Sequence, residues 1–296
     1  IYALQVPEQY GGSGESDYRY RMVVCEEIAR INALSFGLTI SLQDDLVLHY
    51  LLDLPNDDQK QRWLPGFAAG ETIGALAMTE PGTGSDLRGI RTSARRDGDH
   101  YVINGAKTFI SNGLLADLVV VACRTDPDAE KPHKGISLIV VETGMEGFTR
   151  GRKLDKIGQK SADTAELFFD NVRVPVENLL GEENRGFYQL MRNLPAERLG
   201  IAIHAVAQAR RAVDLATSYA HERKAFGQEI GKFQVNRHAL AQMRVEVDVM
   251  QTYVDQCILD VNSGELTAEE AAGAKWWATE TQWKIVDRCL QLHGGY

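Results

Sequence analysis

Apolar positions along the chain change period twice. Over residues 1–72 they recur at helical spacing: Val23, Val24, Ile28 and Ile31 form one stripe, and Ser16 or Asp17 stands where a cap is needed. A second helix is expected over 41–52. Asn56-Asp57-Asp58 supplies the N-cap of a third over 59–64, which Pro65-Gly66 ends. From Ile73 to about Leu180 the period becomes two. Tyr101 and Ile103 alternate with polar neighbours, Val119-Val120-Val121, 136–141 and 165–169 read as buried strands, and Pro175 marks the exit. Short strands without long helices imply an antiparallel sheet or barrel. From Gly186 the pattern is helical again. Leu199, Ile203, Val206, Val213 and Ala220 share one face. Val235, Ala239, Met243, Met250, Val254 and Cys257 define a helix over 234–261 that Asn262-Ser263-Gly264 closes. Thr267 and Glu270 have capping-box spacing, so a last helix runs from there through Trp276, Trp277, Trp283 and Leu290 to Gly294-Gly295. The pattern predicts an α+β fold: a partial N-terminal helical domain (1–72), a middle β domain (73–185) and a C-terminal helical bundle (186–296). A fourth helix beyond Tyr296 would complete that bundle.

Composition narrows the classes of function. The 296 residues are 44% hydrophobic, enough for a substantial core and about two domains. A net charge of −9, with Arg91, Arg95 and Arg96 as the main basic cluster, argues against a nucleic-acid footprint. Cys25, Cys123, Cys257 and Cys289 are far apart and form no zinc or disulfide pattern, which points to a reducing compartment. The longest apolar run, around Leu138-Ile139-Val140-Val141, is strand-sized, and no signal peptide is apparent. The chain opens at Ile1-Tyr2-Ala3-Leu4 without an initiator Met and stops at Gly294-Gly295-Tyr296. It reads as a piece of a longer protein. The charged segment 126–134 is the expected mobile loop of the β domain.

Two stretches carry the chemistry. Met78-Thr79-Glu80-Pro81-Gly82-Thr83-Gly84-Ser85-Asp86 follows an apolar strand, and its glycines let backbone N–H groups approach a phosphate or a polar ring edge. By itself it reads equally well as a tight connection between strands. A strand later comes Asn104-Gly105-Ala106-Lys107-Thr108-Phe109-Ile110-Ser111-Asn112-Gly113, expected as a hairpin turn, a strand and a second Asn-Gly turn. Together the two stretches resemble the flavin-binding middle domain of the acyl-CoA dehydrogenase family. The resemblance extends over essentially the whole chain.

It implies FAD held by Leu76, Ala77, Met78, Thr79, Gly84 and Ser85, with Phe109 against the isoalloxazine ring and Ile110 and Ser111 beside it. An isolated Phe109 would instead be read as core packing. Arg223, Phe226 and Gln234 are implied at the FAD pyrophosphate and adenine, on a neighbouring subunit. A guanidinium suits phosphate oxygens, although Arg223 alone would also suit a helix C-terminus. Ala225 stands where the family commonly has a hydroxyl. Gln291, Leu292, His293, Gly294 and Gly295 resemble the family's remaining FAD segment; no second ligand is spaced to make His293 a metal site.

Glu197, in Leu194-Pro195-Ala196-Glu197-Arg198-Leu199, is the candidate base. Two positions after a Pro, it also fits a helix first turn, where a carboxylate stabilises exposed N–H groups. It lies opposite the Leu199–Ile203–Val206 stripe. In most acyl-CoA dehydrogenases the base lies near the C-terminus, beyond this chain, whereas the long-chain and isovaleryl branches carry a Glu followed by Arg on this helix. Gly186-Phe187-Tyr188, Lys275-Trp276-Trp277-Ala278 and Leu290-Gln291-Leu292-His293-Gly294-Gly295 also resemble the long-chain branch. The implied reaction is α,β-dehydrogenation of an acyl-CoA thioester. Glu197 takes the proton, the flavin accepts the hydride, and donors at the thioester oxygen stabilise the enolate. The family supplies those donors from a backbone N–H and the flavin ribityl hydroxyl, of which the second is implied here. Ser85, Tyr188, Pro195 and Ala196 are expected along the acyl-CoA channel, Arg198 beside the base, and Lys134 at a CoA phosphate. Electron-transfer flavoprotein as acceptor, a homotetramer, and a bacterial cytoplasm or mitochondrial matrix complete the expectation. An acyl-CoA oxidase or flavin monooxygenase on the same fold, or a non-catalytic acyl-CoA- or flavin-binding protein, are the alternatives. Acyl chain length and branching are left open by the sequence.

Overall fold

A computed structural model describes residues 2–295. Helices α1 (Arg19–Arg30), α2 (Leu34–Ser41), α3 (Leu48–Asp53) and α4 (Asp57–Ala69) precede strands β1 (Gly74–Ala77), β2 (Ser93–Asp97), β3 (His100–Ser111), β4 (Leu118–Arg124), β5 (Ile136–Glu142), β6 (Phe148–Lys153), β7 (Thr164–Pro175) and β8 (Leu179–Leu180). Helix α5 (Gly186–Glu222), the small hairpin β9 (Lys224–Ala225) and β10 (Gln228–Glu229), and helices α6 (Gln234–Ser263) and α7 (Ala268–His293) follow. The fold is α+β, with its sheet in the middle of the chain. Compactness cuts it into two units: one holds the stretch up to Ser16 with Leu34–Asn193, the other Asp17–Ala33 with everything from Leu194.

In the first unit, α4 starts at a capping box. The Asn56 side chain accepts from the Gln59 N–H at 2.9 Å and Gln59 Oε1 accepts from the Asn56 N–H at 2.9 Å. Contrary to expectation, α4 runs through Pro65 and ends at Gly70, whose φ is 73°. The carbonyl that loses its donor belongs to exposed Gln61, where water can replace it. The helix expected over 41–52 begins earlier, at Leu34, and continues through a π-helical stretch, Leu42–Val47, between α2 and α3. That stretch turns Gln43, Asp44 and Asp45 inward, and all three are buried.

The sheet runs β6-β7-β3-β2-β4-β5-β8, with β1 paired to β4 outside that path. It is neither a barrel nor wholly antiparallel. Among the described residues β6 and β8 pair on one side only, which leaves the sheet open, and β1 runs parallel to β4. A two-residue β8 is too short to close a cylinder. Strands β4 and β5 are apolar over 118–123 and 138–141 because both faces are covered there. Leu118, Val120, Leu138 and Val140 face a core with Leu48, Leu51, Trp63 and Phe67; Val119, Val121, Ile139 and Val141 face a second core with Tyr101, Ile103, Leu167 and Phe169.

Asn104-Gly105 is not the expected hairpin turn. It lies inside β3, at a break in its register with β7. A Cβ on Gly105 would stand 2.5 Å from Thr92 Oγ1, so the close approach of two chain segments, not a turn, requires glycine there. The turn joining β2 to β3 is at Gly98, φ 65°. Asn112 does hold a left-handed turn, with φ 60°.

In the second unit, α1, α5, α6 and α7 share a core of Met22, Cys25, Leu199, Ile203, Val206, Met243, Met250 and Ile285. Asp17 Oδ1 accepts the Arg19 N–H at 2.9 Å at the start of α1. The buried stripe of α1 is rotated from the expected one: Val24 and Ile28 are buried with Met22 and Cys25, while Val23 and Ile31 are exposed. The Thr267–Glu270 capping box is present, and Gly264 ends α6. Helix α7 buries Ala271, Ala274, Ala278, Ile285 and Cys289, whereas Trp276, Trp277, Trp283 and Leu290 are exposed.

Gln43 ties the π-helical stretch to the first strand. Its Nε2 donates to the Gly74 carbonyl at 2.8 Å and its Oε1 accepts the Gly74 N–H at 2.9 Å. Gln43→Leu removes the Gly74 N–H's partner and leaves its carbonyl with only the 3.4 Å bond from Asn112 Nδ2, so the folded state should lose about 1–3 kcal/mol. Urea unfolding checks this; an unchanged midpoint would show that the two bonds contribute nothing.

Candidate active site

The segment after β1 has little regular structure, yet it is held from below. Glu80 and Thr83 exchange backbone bonds of 2.9 and 3.1 Å around Pro81-Gly82. Beneath this turn Lys107 Nζ donates to the Met78 carbonyl and to Glu80 Oε1, both at 2.9 Å. The Glu80 carboxylate also accepts the N–H groups of Arg91 at 2.8 Å and Thr92 at 2.9 Å. Burial pushes the Glu80 carboxyl upward, but Lys107 and the N–H donors outweigh it and hold its pKa below the ordinary value. Burial pulls the Lys107 ammonium down, opposed by Glu80. Alongside, the Thr108 N–H donates to the Thr79 carbonyl at 2.9 Å, so the two sequence motifs are adjacent.

Above the pair, β3 breaks register with β7 between Lys107 and Ile110. Phe109 sits in that break with φ 58° and is 68% exposed. A bulky residue rarely adopts this conformation, and holding it costs about 1–3 kcal/mol. The bulge re-aims the side chain, placing a flat aromatic surface outside the core while Ile110 is buried within it. Leu76 and Ala77 lie in β1 with their side chains in opposite cores, so only their backbone can meet a ligand. Met78, Thr79 and Ser111 are half-buried, and Gly84 and Ser85 exposed.

Elsewhere in this unit, exposed Lys134 lies 3.6 Å from Glu130. The segment 126–134 is tied at its ends, with Gly135 O accepting from Thr125 N at 2.9 Å and Arg124 donating to the carbonyls of Arg88, Ile90 and Pro132. Tyr188 carries the Arg185 guanidinium 4.7 Å over its ring, and His133 packs against Phe187 and Tyr188 at 5.1 and 5.9 Å.

In the second unit, Glu197 is only 8% exposed. Helix α5 begins at Gly186 and contains Pro195, so Glu197 is three turns in and not in a first turn. Stabilising a helix terminus therefore cannot be its role. Pro195, Ala196 and Arg198 around it are half-buried. At the other end of α5, Tyr219 stacks on His293 at 4.4 Å, and His293 Nδ1 donates to Cys289 O at 2.9 Å. The Arg223 N–H donates to Tyr219 O at 2.8 Å, so the Arg223 segment and the end of α7 meet at Tyr219. Phe226 is 95% exposed with φ 53°, 6.1 Å from Phe233. Gln234, Gln291, Gly294 and Gly295 are exposed, Leu292 half-buried.

Glu80, Lys107 and His133 were not singled out from sequence. Lys107 left a signal: it shares strand parity with inward-facing Tyr101 and Ile103, and an inward lysine demands a partner. Among the described residues no cluster of His, Cys, Asp or Glu is placed to hold a metal, and no helix is long and apolar enough to cross a membrane.

Helical segments before and after a sheet domain in the chain, with a strained aromatic beside a pinned glycine loop, define an α+β scaffold. Descriptions of the acyl-CoA dehydrogenase N-terminal, middle and C-terminal domains match residues 1–71, 75–172 and 184–296 in turn. The chain belongs to the acyl-CoA dehydrogenase family. It is 44% identical over 296 residues to the mitochondrial long-chain specific acyl-CoA dehydrogenase of Sus scrofa, covering all of this chain and 68% of that one. It is 37% identical over 295 residues to the mitochondrial isovaleryl-CoA dehydrogenase of Pongo abelii, covering 100% and 69%. The crystal structure of an acyl-CoA dehydrogenase from Geobacillus kaustophilus superposes with a TM-score of 0.96 at 47% identity, covering 100% of this chain and 77% of that one.

Two outcomes are expected. Phe109→Gly relieves a left-handed strain and removes little buried surface, so thermal stability should hold or rise; a clear loss of stability would contradict the strain. Because Glu80 has a lowered pKa in the fold, its contribution is complete above the unfolded carboxyl value of about 4.3 and disappears as pH falls through the folded one. Glu80→Gln should remove that acid limb from a pH series of urea midpoints. Parallel curves would show that Glu80 is not the group responsible.

Proposed function

We propose that this protein is an FAD-dependent acyl-CoA dehydrogenase that converts a long-chain acyl-CoA to the trans-2-enoyl-CoA, with Glu197 as the base. The observation that carries the reading is Glu197: a carboxylate nine-tenths buried, deep in a continuous helix and far from its N-terminus. Its neighbour Arg198 gives the Glu-Arg order of the long-chain and isovaleryl branches, and the identity to the Sus scrofa long-chain enzyme supports the choice of substrate.

The residues present fit a flavin. Phe109 holds a costly conformation that exposes its ring, and the adjoining loop keeps open backbone at Gly82 and Gly84, where an added Cβ would meet nothing within 4 Å. Thr79, Ser85 and Ser111 offer polar groups to the ring edge, and Arg223, Phe226 and Gln234 would serve the FAD of a neighbouring subunit in a homotetramer. When bound, the flavin supplies the acceptor for the hydride that leaves the carbon β to the thioester carbonyl. Glu197 takes the proton from the α carbon. That proton is too weakly acidic for a carboxylate unless donors meet the thioester oxygen, so the base and those donors must act together. Tyr188, with Arg185 stacked on it, and Lys134 would meet the CoA portion, while Pro195 and Ala196 would border the acyl chain. Electron-transfer flavoprotein is the proposed acceptor, in a bacterial cytoplasm or a mitochondrial matrix.

Glu197→Gln should lower turnover at least about 10²-fold, the usual contribution of a positioned base, while the flavin absorbance spectrum is unchanged. Normal turnover in that variant would remove Glu197 from the reaction.

A further inference from the structure

Lys107 and Glu80 form a charge pair with side chains 0% and 6% exposed, inside the sheet domain. A buried pair is seldom the most stable way to fill such a space, since apolar side chains of similar volume do as well or better. The partners of this pair show what it does instead. The ammonium holds the Met78 carbonyl, and the carboxylate gathers the N–H groups of Arg91 and Thr92, so one pair ties together three chain segments at 2.8 to 2.9 Å. Thr79 lies between Met78 and Glu80 in sequence, and Phe109 is two residues beyond Lys107. The bond from the Thr108 N–H to the Thr79 carbonyl closes the arrangement at 2.9 Å.

We propose that Lys107 and Glu80 are positioning residues for the flavin, fixing the backbone from Met78 to Glu80 and balancing the charge beneath the cofactor. The proposal rests on the flavin being bound by this loop and Phe109. Opposite charges in contact cancel at a distance, so the intact pair adds little net field. Removing either partner leaves one charge in a medium that screens it poorly. An anion beneath the ring opposes the arrival of electrons, and a cation favours it.

The test uses the purified protein and the variants Lys107→Met and Glu80→Gln. FAD affinity is measured by fluorescence quenching and the midpoint potential of the bound flavin by dye equilibration, at about pH 6, which favours the charged form of an orphaned amine, and about pH 8, which favours that of an orphaned carboxyl. Affinity should fall about tenfold or more in both variants, as for loss of a charge-assisted hydrogen bond. The potential should move negative in Lys107→Met and positive in Glu80→Gln. Shifts of the same sign, or none, would reduce the pair to a structural brace and overturn the proposal. The double variant Glu80→Gln/Lys107→Met carries no buried charge and guards against a single variant that does not fold. It is expected to fold and to lose FAD affinity about tenfold or more, because nothing then holds Met78; wild-type affinity there overturns the proposal whatever the singles do. Wild-type protein that binds no FAD would instead refute the cofactor reading on which the proposal rests.

Discussion

An ammonium buried against a carboxylate holds in place the part of this protein least able to hold itself. The backbone from Met78 to Asp86 joins no extended ladder beyond one isolated bridge, and its glycines leave it many conformations. Lys107 and Glu80 remove that freedom by satisfying the Met78 carbonyl and the N–H groups of Arg91 and Thr92, which ties two segments to the strand that carries Lys107. Both charges depend on the other: either alone would be an uncompensated ion in the interior, a loss of about 3–5 kcal/mol. The backbone from Met78 to Glu80 is thereby tied to the sheet domain.

Strain lies nearby. Phe109 adopts a left-handed backbone where β3 breaks register with β7, in a strand held by β7 on one side and β2 on the other. A rigid frame can hold one residue in a costly conformation, and here it turns an aromatic ring outward where the strand's alternation would not. Phe226 does the same in the other compact unit, on a small hairpin. Glu197 follows a different logic. Its helix is regular, and what sets it apart is a carboxylate buried far from the helix terminus that would account for it.

Much of this was legible in the sequence, and the failures have physical causes. Capping residues announced α4 and α7, because Asn56–Gln59 and Thr267–Glu270 act locally. The strands of the middle domain were visible as a change of period. Their closure was not, since whether a sheet ends open depends on the pairing of distant edges such as β6 and β8. Pro65 and Pro195 looked like helix boundaries, yet each lies inside a helix, where tertiary burial of the surrounding turns outweighs one missing bond. Asn104-Gly105 looked like a turn, but its glycine answers to Thr92, just before β2. The motifs that carried the family resemblance already contained Glu80 and Lys107. Their role was hidden because an ion pair between residues 27 positions apart has no sequence spacing of its own.

The proposed activity moves hydrogen from the carbons next to a thioester into a flavin bound by this chain. The most direct measurement is an anaerobic titration of the FAD-loaded protein with saturated long-chain acyl-CoA, followed by flavin absorbance, with a short or branched thioester run in parallel. The account predicts bleaching of the oxidised flavin band on addition of the long-chain thioester, with enoyl-CoA formed in step. A flavin that stays oxidised with every thioester tested would contradict it.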